Sequence, residues 1–270
     1  MVYFSDVVEK VKNAYGYLTS KKYTTLAGTM AFFLVTSIVP FIFWLTLIFG
    51  KLNINYEQLF DLEIFSGIRD ILFYLRDAAE SATVGASVIL IATTLYSSTN
   101  LFYHMRRSGE IIYEYKRKKG GILLRISALV LLFIVMIIFL TGAVIFLLGD
   151  ALLKRAFPSF FAQLGLYALV GALAFVFILL LNLYICPYRM RAGNVIWGSL
   201  LTLLLGGIVS FGFTLYMKLG NIERLYGAVT LVIVFLLWLY ALMICFVVGV
   251  IVNCYLSEKD KKIRLRHKKF

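Results

Sequence analysis

His104 and His267 are the only histidines in this 270-residue chain, and they stand far apart in sequence. A nuclease or membrane hydrolase needs metal ligands, or a nucleophile beside a general base. Neither histidine belongs to an HExxH pair, no Gly-x-Ser-x-Gly occurs, and no carboxylate pair falls inside an apolar run. The cysteines, Cys186, Cys245 and Cys254, lack CxxC spacing and a neighbouring histidine, so they read as small apolar helix residues. No catalytic residue, metal site or cofactor is implied, and the chain is not expected to be an enzyme. What remains is amide and hydroxyl chemistry within apolar sequence. Thr94, Ser97 and Asn100 close one run, Asn182 lies near the end of another, and Asn253 near the end of a third. Interhelical hydrogen bonding explains such residues, at about 1 kcal/mol or less per bond. The functional alternative is a polar recess lined by Asn100, Asn182, Asn253, Ser97 and Thr94. Arg106, Arg107, Arg189 and Arg191 would then ring its mouth as contacts for an anionic headgroup.

The elements that must position these residues are membrane spans. The composition is 61% hydrophobic and 15% charged, against about half and a quarter in soluble domains. Mean hydropathy is +0.90. A span needs about 20 apolar residues. Six runs qualify: 25–50, 83–102, 123–149, 164–186, 194–217 and 226–255, the second being the least hydrophobic. Arg125, at the start of the third, is the one charged residue inside a run and can snorkel to the interface. The first run is too long for a secretory signal and is expected to remain as a span. No strand reading competes, because barrel strands are about ten residues long and alternate.

Two flanking stretches have helical amphipathic spacing. Phe4, Val7, Val8, Val11, Tyr15 and Leu18 form one stripe, and Ile64, Phe65, Ile68, Ile71, Leu72 and Leu75 another. The expected fold class is therefore an all-α polytopic membrane protein, with six transmembrane helices plus two interfacial amphipathic helices. An N-terminal helix occupies 1–22 and the membrane domain 23–256. An outer-face amphipathic loop lies at 52–82, and a basic cytoplasmic tail at 257–270.

Charge sets the expected orientation. With the N-terminus inside, only Lys51, Arg69, Arg76, Lys154, Arg155, Lys218 and Arg224 of the 27 basic residues fall outside. The positive-inside rule then places both termini in the cytoplasm. The net charge of +13 would suit nucleic acid, but the basic runs lie beside membrane ends, where topology and anionic headgroups explain them. The expected partners are membrane lipids, anionic at the inner leaflet, and no nucleic acid. A homo-oligomer or an envelope protein partner is left open.

Gly198, Thr202, Gly206, Ser210 and Thr214 recur every four residues along the fifth run. Small residues at that interval let helices approach closely. The stripe from Gly198 to Ser210 is expected to face another helix, and Gly206→Leu to destabilise the fold. Pro40 interrupts the first run and removes a helical hydrogen bond there.

The final run begins Tyr226-Gly-Ala-Val-Thr-Leu-Val-Ile-Val-Phe-Leu-Leu-Trp-Leu-Tyr240 and continues to Gly249-Val-Ile-Val-Asn253. The first contains Leu26-Ala-Gly-Thr-Met-Ala-Phe-Phe and Ser37-Ile-Val-Pro40, and Pro187-Tyr-Arg-Met-Arg191 leads into the fifth. These segments resemble the YihY/BrkB family of bacterial inner-membrane proteins, formerly labelled ribonuclease BN. Ile251 stands where the family often has an acidic residue. The resemblance implies six spans with both termini cytoplasmic, in the bacterial plasma membrane. Members of the family have been called virulence factors and nucleases, and some are linked to export of lipid precursors. The nuclease label is not expected to apply here, because acidic and histidine ligands are sparse on the face where RNA would be. The leading functional expectation is a transporter or translocator of a lipid or other amphiphilic anion. The alternative is a non-transporting scaffold for cell-envelope machinery.

Overall fold

A computed structural model describes residues 16–51, 95–115, 121–156, 159–188, 190, 192–219 and 228–267. Among them there is no strand. The helices are α1 (Tyr23–Lys51), α2 (Asn100–Ile112), α3 (Gly121–Ala156), α4 (Ser159–Ile185), α5 (Ala192–Leu219) and α6 (Ala228–His267). The all-helical membrane architecture follows from composition: in hydrocarbon every backbone N–H must be satisfied within its own segment. Among the described residues, four stretches are long and apolar enough to cross a membrane: Gly121–Gly142, Leu164–Ile185, Val195–Met217 and Val232–Glu258. They coincide with the third to sixth expected runs. The first run lies within the 29-residue α1, which passes through Pro40.

Most of the second run, with Thr94, lies outside the described residues, as do the outer-face amphipathic loop and most of the N-terminal amphipathic stretch. Residues 95–98 are helical, and after Thr99 the amphipathic α2 continues ten residues past the expected end at Phe102. α6 continues into the expected basic tail as far as His267.

The chain divides into two compact units. One comprises Met1–Ala31, His104–Lys119 and Gly171–Phe270; the other Phe32–Tyr103 and Gly120–Val170. In the first, α5 packs along α6, and the start of α1 meets α6 where the Tyr240 hydroxyl donates to the Thr24 carbonyl at 3.5 Å. In the second, α3 buries Leu124, Ala128, Leu131, Leu132, Val135 and Met136 and exposes Ile122, Ile126, Val130, Phe133 and Ile137. Both sets follow the helical period, so α3 has an inner and an outer face although both are apolar. Lipid tails are as apolar as leucine, so close packing and interhelical hydrogen bonds, rather than burial alone, hold such helices together.

Two helix ends use residues with positive φ. Glu114 (φ 51°) follows α2 in a Schellman motif: the Tyr115 N–H donates to the Glu110 carbonyl at 2.9 Å and the Glu114 N–H to Ile111 at 3.2 Å. Lys22 (φ 54°) ends the helical residues 16–20, its N–H donating to the Thr19 carbonyl at 3.0 Å, and lets the chain turn into α1.

Candidate functional site

Two of the three expected recess amides meet directly. Asn253 on α6 donates from Nδ2 to Oδ1 of Asn182 on α4, at 2.8 Å. Asn182 Nδ2 donates to the Ile178 carbonyl of its own helix at 3.0 Å. The Gly198 N–H on α5 donates to Asn253 Oδ1 at 2.9 Å. Both asparagine side chains are 1% exposed. A neutral seam therefore joins α4, α5 and α6, with each amide both donating and accepting. An unpartnered amide at such a place would cost a few kcal/mol, which explains why the asparagines occur together.

The seam depends on close approach. A Cβ on Gly198 would collide with Asn253 Oδ1 and the Gly249 carbonyl; one on Gly249 would collide with Thr202 Oγ1 and lie 2.5 Å from the Gly198 carbonyl. Thr202 and Ser199 direct their hydroxyls to carbonyls of their own helix, Gly198 at 2.9 Å and Val195 at 2.8 Å. The small-residue stripe is tight only at this end. A Cβ on Gly206 would meet Leu242 Cδ2 at an ordinary 3.7 Å. Ser210 is half-buried and Thr214 exposed.

Of the expected arginine ring, Arg106 and Arg107 are among the described residues. Arg106 on α2 donates from Nη1 to the carbonyls of Tyr184 and Cys186, at the C-terminal end of α4. The last carbonyls of a helix lack the usual i+4 donor, and a cation suits the negative end of the helix. Gly109 permits the contact, since a Cβ there would strike the Ile185 carbonyl. Arg107 pairs with Glu110, one turn on, at 2.9 Å. Arg189 and Arg191 lie outside the described residues.

Lys21, 8% exposed, reaches Glu114 at 2.7 Å and Glu258 at 4.0 Å. Burial alone would lower the Lys21 ammonium, but the hydrogen bond and charge of Glu114, with Glu258, outweigh it and raise its pKa. The same hydrogen bond and charge lower the Glu114 carboxyl. Tyr17 adds a hydroxyl contact to Glu258 at 3.4 Å. This cluster ties the segment before α1 to the end of α2 and to Glu258 on α6.

Asn100 belongs to the other unit, and its partner was not foreseen. Arg125 on α3 donates from Nη1 to Asn100 Oδ1 at 2.7 Å and from Nη2 to the Tyr96 hydroxyl at 2.8 Å. Its guanidinium carbon lies 4.3 Å from the Tyr96 ring centre and 4.1 Å from that of Tyr103. Arg125 is thus held in a cage of neutral groups. The spacing 96, 100, 103 places these three on one helical face, a signal that becomes readable once Arg125 is sought as their partner. Ser97 contributes its carbonyl, which accepts from the Ser37 hydroxyl at 2.9 Å. Among the described residues no three His, Cys, Asp or Glu side chains gather as a metal set.

The model of the family described as virulence factor BrkB matches residues 14–269. Similar curated relatives are described as UPF0761 membrane proteins of Coxiella burnetii, from strains Dugway 5J108-111, CbuG_Q212 and RSA 493 / Nine Mile phase I. Each is 26% identical over 202 residues, covering 70% of this chain and 70% of the relative. No solved structure matches the chain.

Proposed function

The chain belongs to the virulence factor BrkB family, and from that premise we propose that it carries a lipid or another amphiphilic anion across the bacterial plasma membrane, with both termini in the cytoplasm. One observation carries the reading. Among the described side chains, the buried polar ones other than Ser37 are Ser98, Thr99, Ser108, Glu110, Asn182, Ser199, Thr202, Asn253 and Lys21, and they lie in or beside one end of the apolar runs. In each unit this is the end that the basic residues assign to the cytoplasm. A path for an anionic headgroup needs polar groups and positive charge at its entrance and apolar walls for the tails. The six apolar runs read from the sequence contain no carboxylate that could relay protons, so movement down a gradient fits better than proton coupling. Neither nuclease activity nor a nucleic-acid partner belongs to this reading.

The test is reconstitution. Vesicles containing the purified protein and a trace of fluorescent phosphatidylglycerol are exposed to a membrane-impermeant quencher. The proposal expects quenching beyond the outer-leaflet half, faster than for the phosphatidylcholine analogue. Loss of only the outer-leaflet half for both lipids would favour a scaffold. One feature already fits a scaffold: Asn182, Asn253 and the Gly198 N–H satisfy one another, as a solidly packed helix junction requires.

A further inference from the structure

Arg125 is a cation whose described partners are all uncharged. The Asn100 amide oxygen and the Tyr96 hydroxyl accept one hydrogen bond each, and the Tyr96 and Tyr103 rings lie against the guanidinium. Five N–H donors project from a guanidinium, so two are used and three remain. The side chain is half-buried rather than sealed. Arginine that only spans the distance to water needs no such fixing. Here two hydrogen bonds and two rings set the plane of the group, at an ordering cost that a solvated cation would not incur.

The surroundings indicate what completes it. Arg125 lies in the second turn of α3, at the start of the apolar stretch Gly121–Gly142. Around the helix from it, Ile122 is 78% exposed, and Ile126 and Val130 continue the same exposed stripe at four-residue intervals. In a membrane protein such a stripe faces acyl chains. A fixed planar cation with free N–H groups, set between Ile122 and Ile126 near the start of a lipid-facing stripe, suits a phosphate whose own chains run on past Ile126 and Val130. Arginine binds phosphate through paired N–H groups. The Tyr96 hydroxyl accepts from Arg125 through its oxygen, so its proton is free to donate to a second phosphate oxygen.

We propose that Arg125 and Tyr96 form a binding site for the phosphate of an anionic phospholipid, with its acyl chains along Ile126 and Val130. Asn100 and Tyr103 are positioning residues that orient the guanidinium. The site needs no transport and stands independently of the proposed translocation.

Native mass spectrometry of the purified protein, exchanged into phosphatidylglycerol or phosphatidylcholine, tests it. Wild type should retain phosphatidylglycerol in preference. Arg125→Gln should reduce that retention by about ten- to a hundred-fold, the expected loss for charge-assisted hydrogen bonds of about 1.5–3 kcal/mol. Phosphatidylcholine, whose phosphate charge is offset by its own choline, should be retained less by wild type and lose less on the same substitution. Tyr96→Phe keeps the ring and the charge but loses the donor, and should reduce retention two- to five-fold, as expected for one ordinary hydrogen bond of about 0.5–1 kcal/mol. It also decides the matter should Arg125→Gln fail to fold. Inorganic phosphate at millimolar concentration should not displace the lipid. Retention of phosphatidylglycerol that is equal in wild type and Tyr96→Phe, and in any folded Arg125→Gln, would overturn the proposal. Displacement by inorganic phosphate would overturn the lipid as its source.

Discussion

The amide seam and the Arg125 cage both place hydrogen-bonding side chains among apolar helices, but they are finished to different degrees. Asn182 and Asn253 are neutral, sealed, and satisfied by each other and by the Gly198 N–H. Each amide atom has a partner, and burial leaves a ligand no access to what remains. Arg125 is charged, half-buried, and held by groups that orient it without cancelling its charge. The difference separates polar residues that close a structure from those that leave an interaction open. In lipid the first kind is paired because isolation is too costly. The second kind is steadied yet retains donors for a partner.

Substitutions should keep the two regions apart. The largest effect is expected where helix backbones meet. Gly198→Ala and Gly249→Ala each force a methyl group into backbone or side-chain oxygen of the facing helix, and should cost about 2–3 kcal/mol, read as a lowered unfolding midpoint. Gly206→Ala is the internal control on the same stripe, expected to stay within about 0.5 kcal/mol because its neighbour is at an ordinary contact distance. Equal losses at 198 and 206 would place the tight crossing along the whole stripe.

Asn253→Leu comes next. It strands the Asn182 carbonyl oxygen and removes an acceptor from Gly198, and should cost about 1–3 kcal/mol. Asn182→Leu should cost less, since Asn253 keeps its bond from Gly198. The reverse order would mean that the Asn182 bond to Ile178 matters more than the contact between helices.

Acid should touch neither region first. The seam contains no titratable group. The Glu114 carboxyl is lowered by Lys21, so its contribution is present above the ordinary carboxylate value of 4.5 and is lost as pH falls below it. Hydrogen exchange between pH 7 and pH 4, corrected for intrinsic rates, should therefore rise at residues 17–22 before it rises at 195–202. Simultaneous loosening would link the two.

The spans of α3 to α6 were legible because about 20 apolar residues in a row have few other uses. Which face of each helix turns inward was not. On α3, Leu124 and Ile126 are equally apolar, yet one is buried and the other exposed; hydropathy cannot separate two faces when lipid is the solvent. The three amides were readable as polar residues of similar depth. Their partition, Asn182 with Asn253 and Asn100 with Arg125, depends on which helices are neighbours, and spacing along one chain does not encode that. Arg106 and Arg107 were found as basic residues, but their engagement with the end of α4 and with Glu110 depends on the close approach at Gly109. The final-run motif identified the family, and the match over residues 14–269 agrees with it.

One measurement separates the two regions most directly: thermal unfolding of wild type, Asn253→Leu and Arg125→Gln, each in phosphatidylcholine and in phosphatidylglycerol. Asn253→Leu should unfold earlier in both lipids and keep the wild-type gain on moving to phosphatidylglycerol. Arg125→Gln should match wild type in phosphatidylcholine within about 1 kcal/mol and lose the gain. An Arg125→Gln protein that is as unstable as Asn253→Leu in phosphatidylcholine, yet keeps the full gain from phosphatidylglycerol, would contradict the account and make the cage another packing seam.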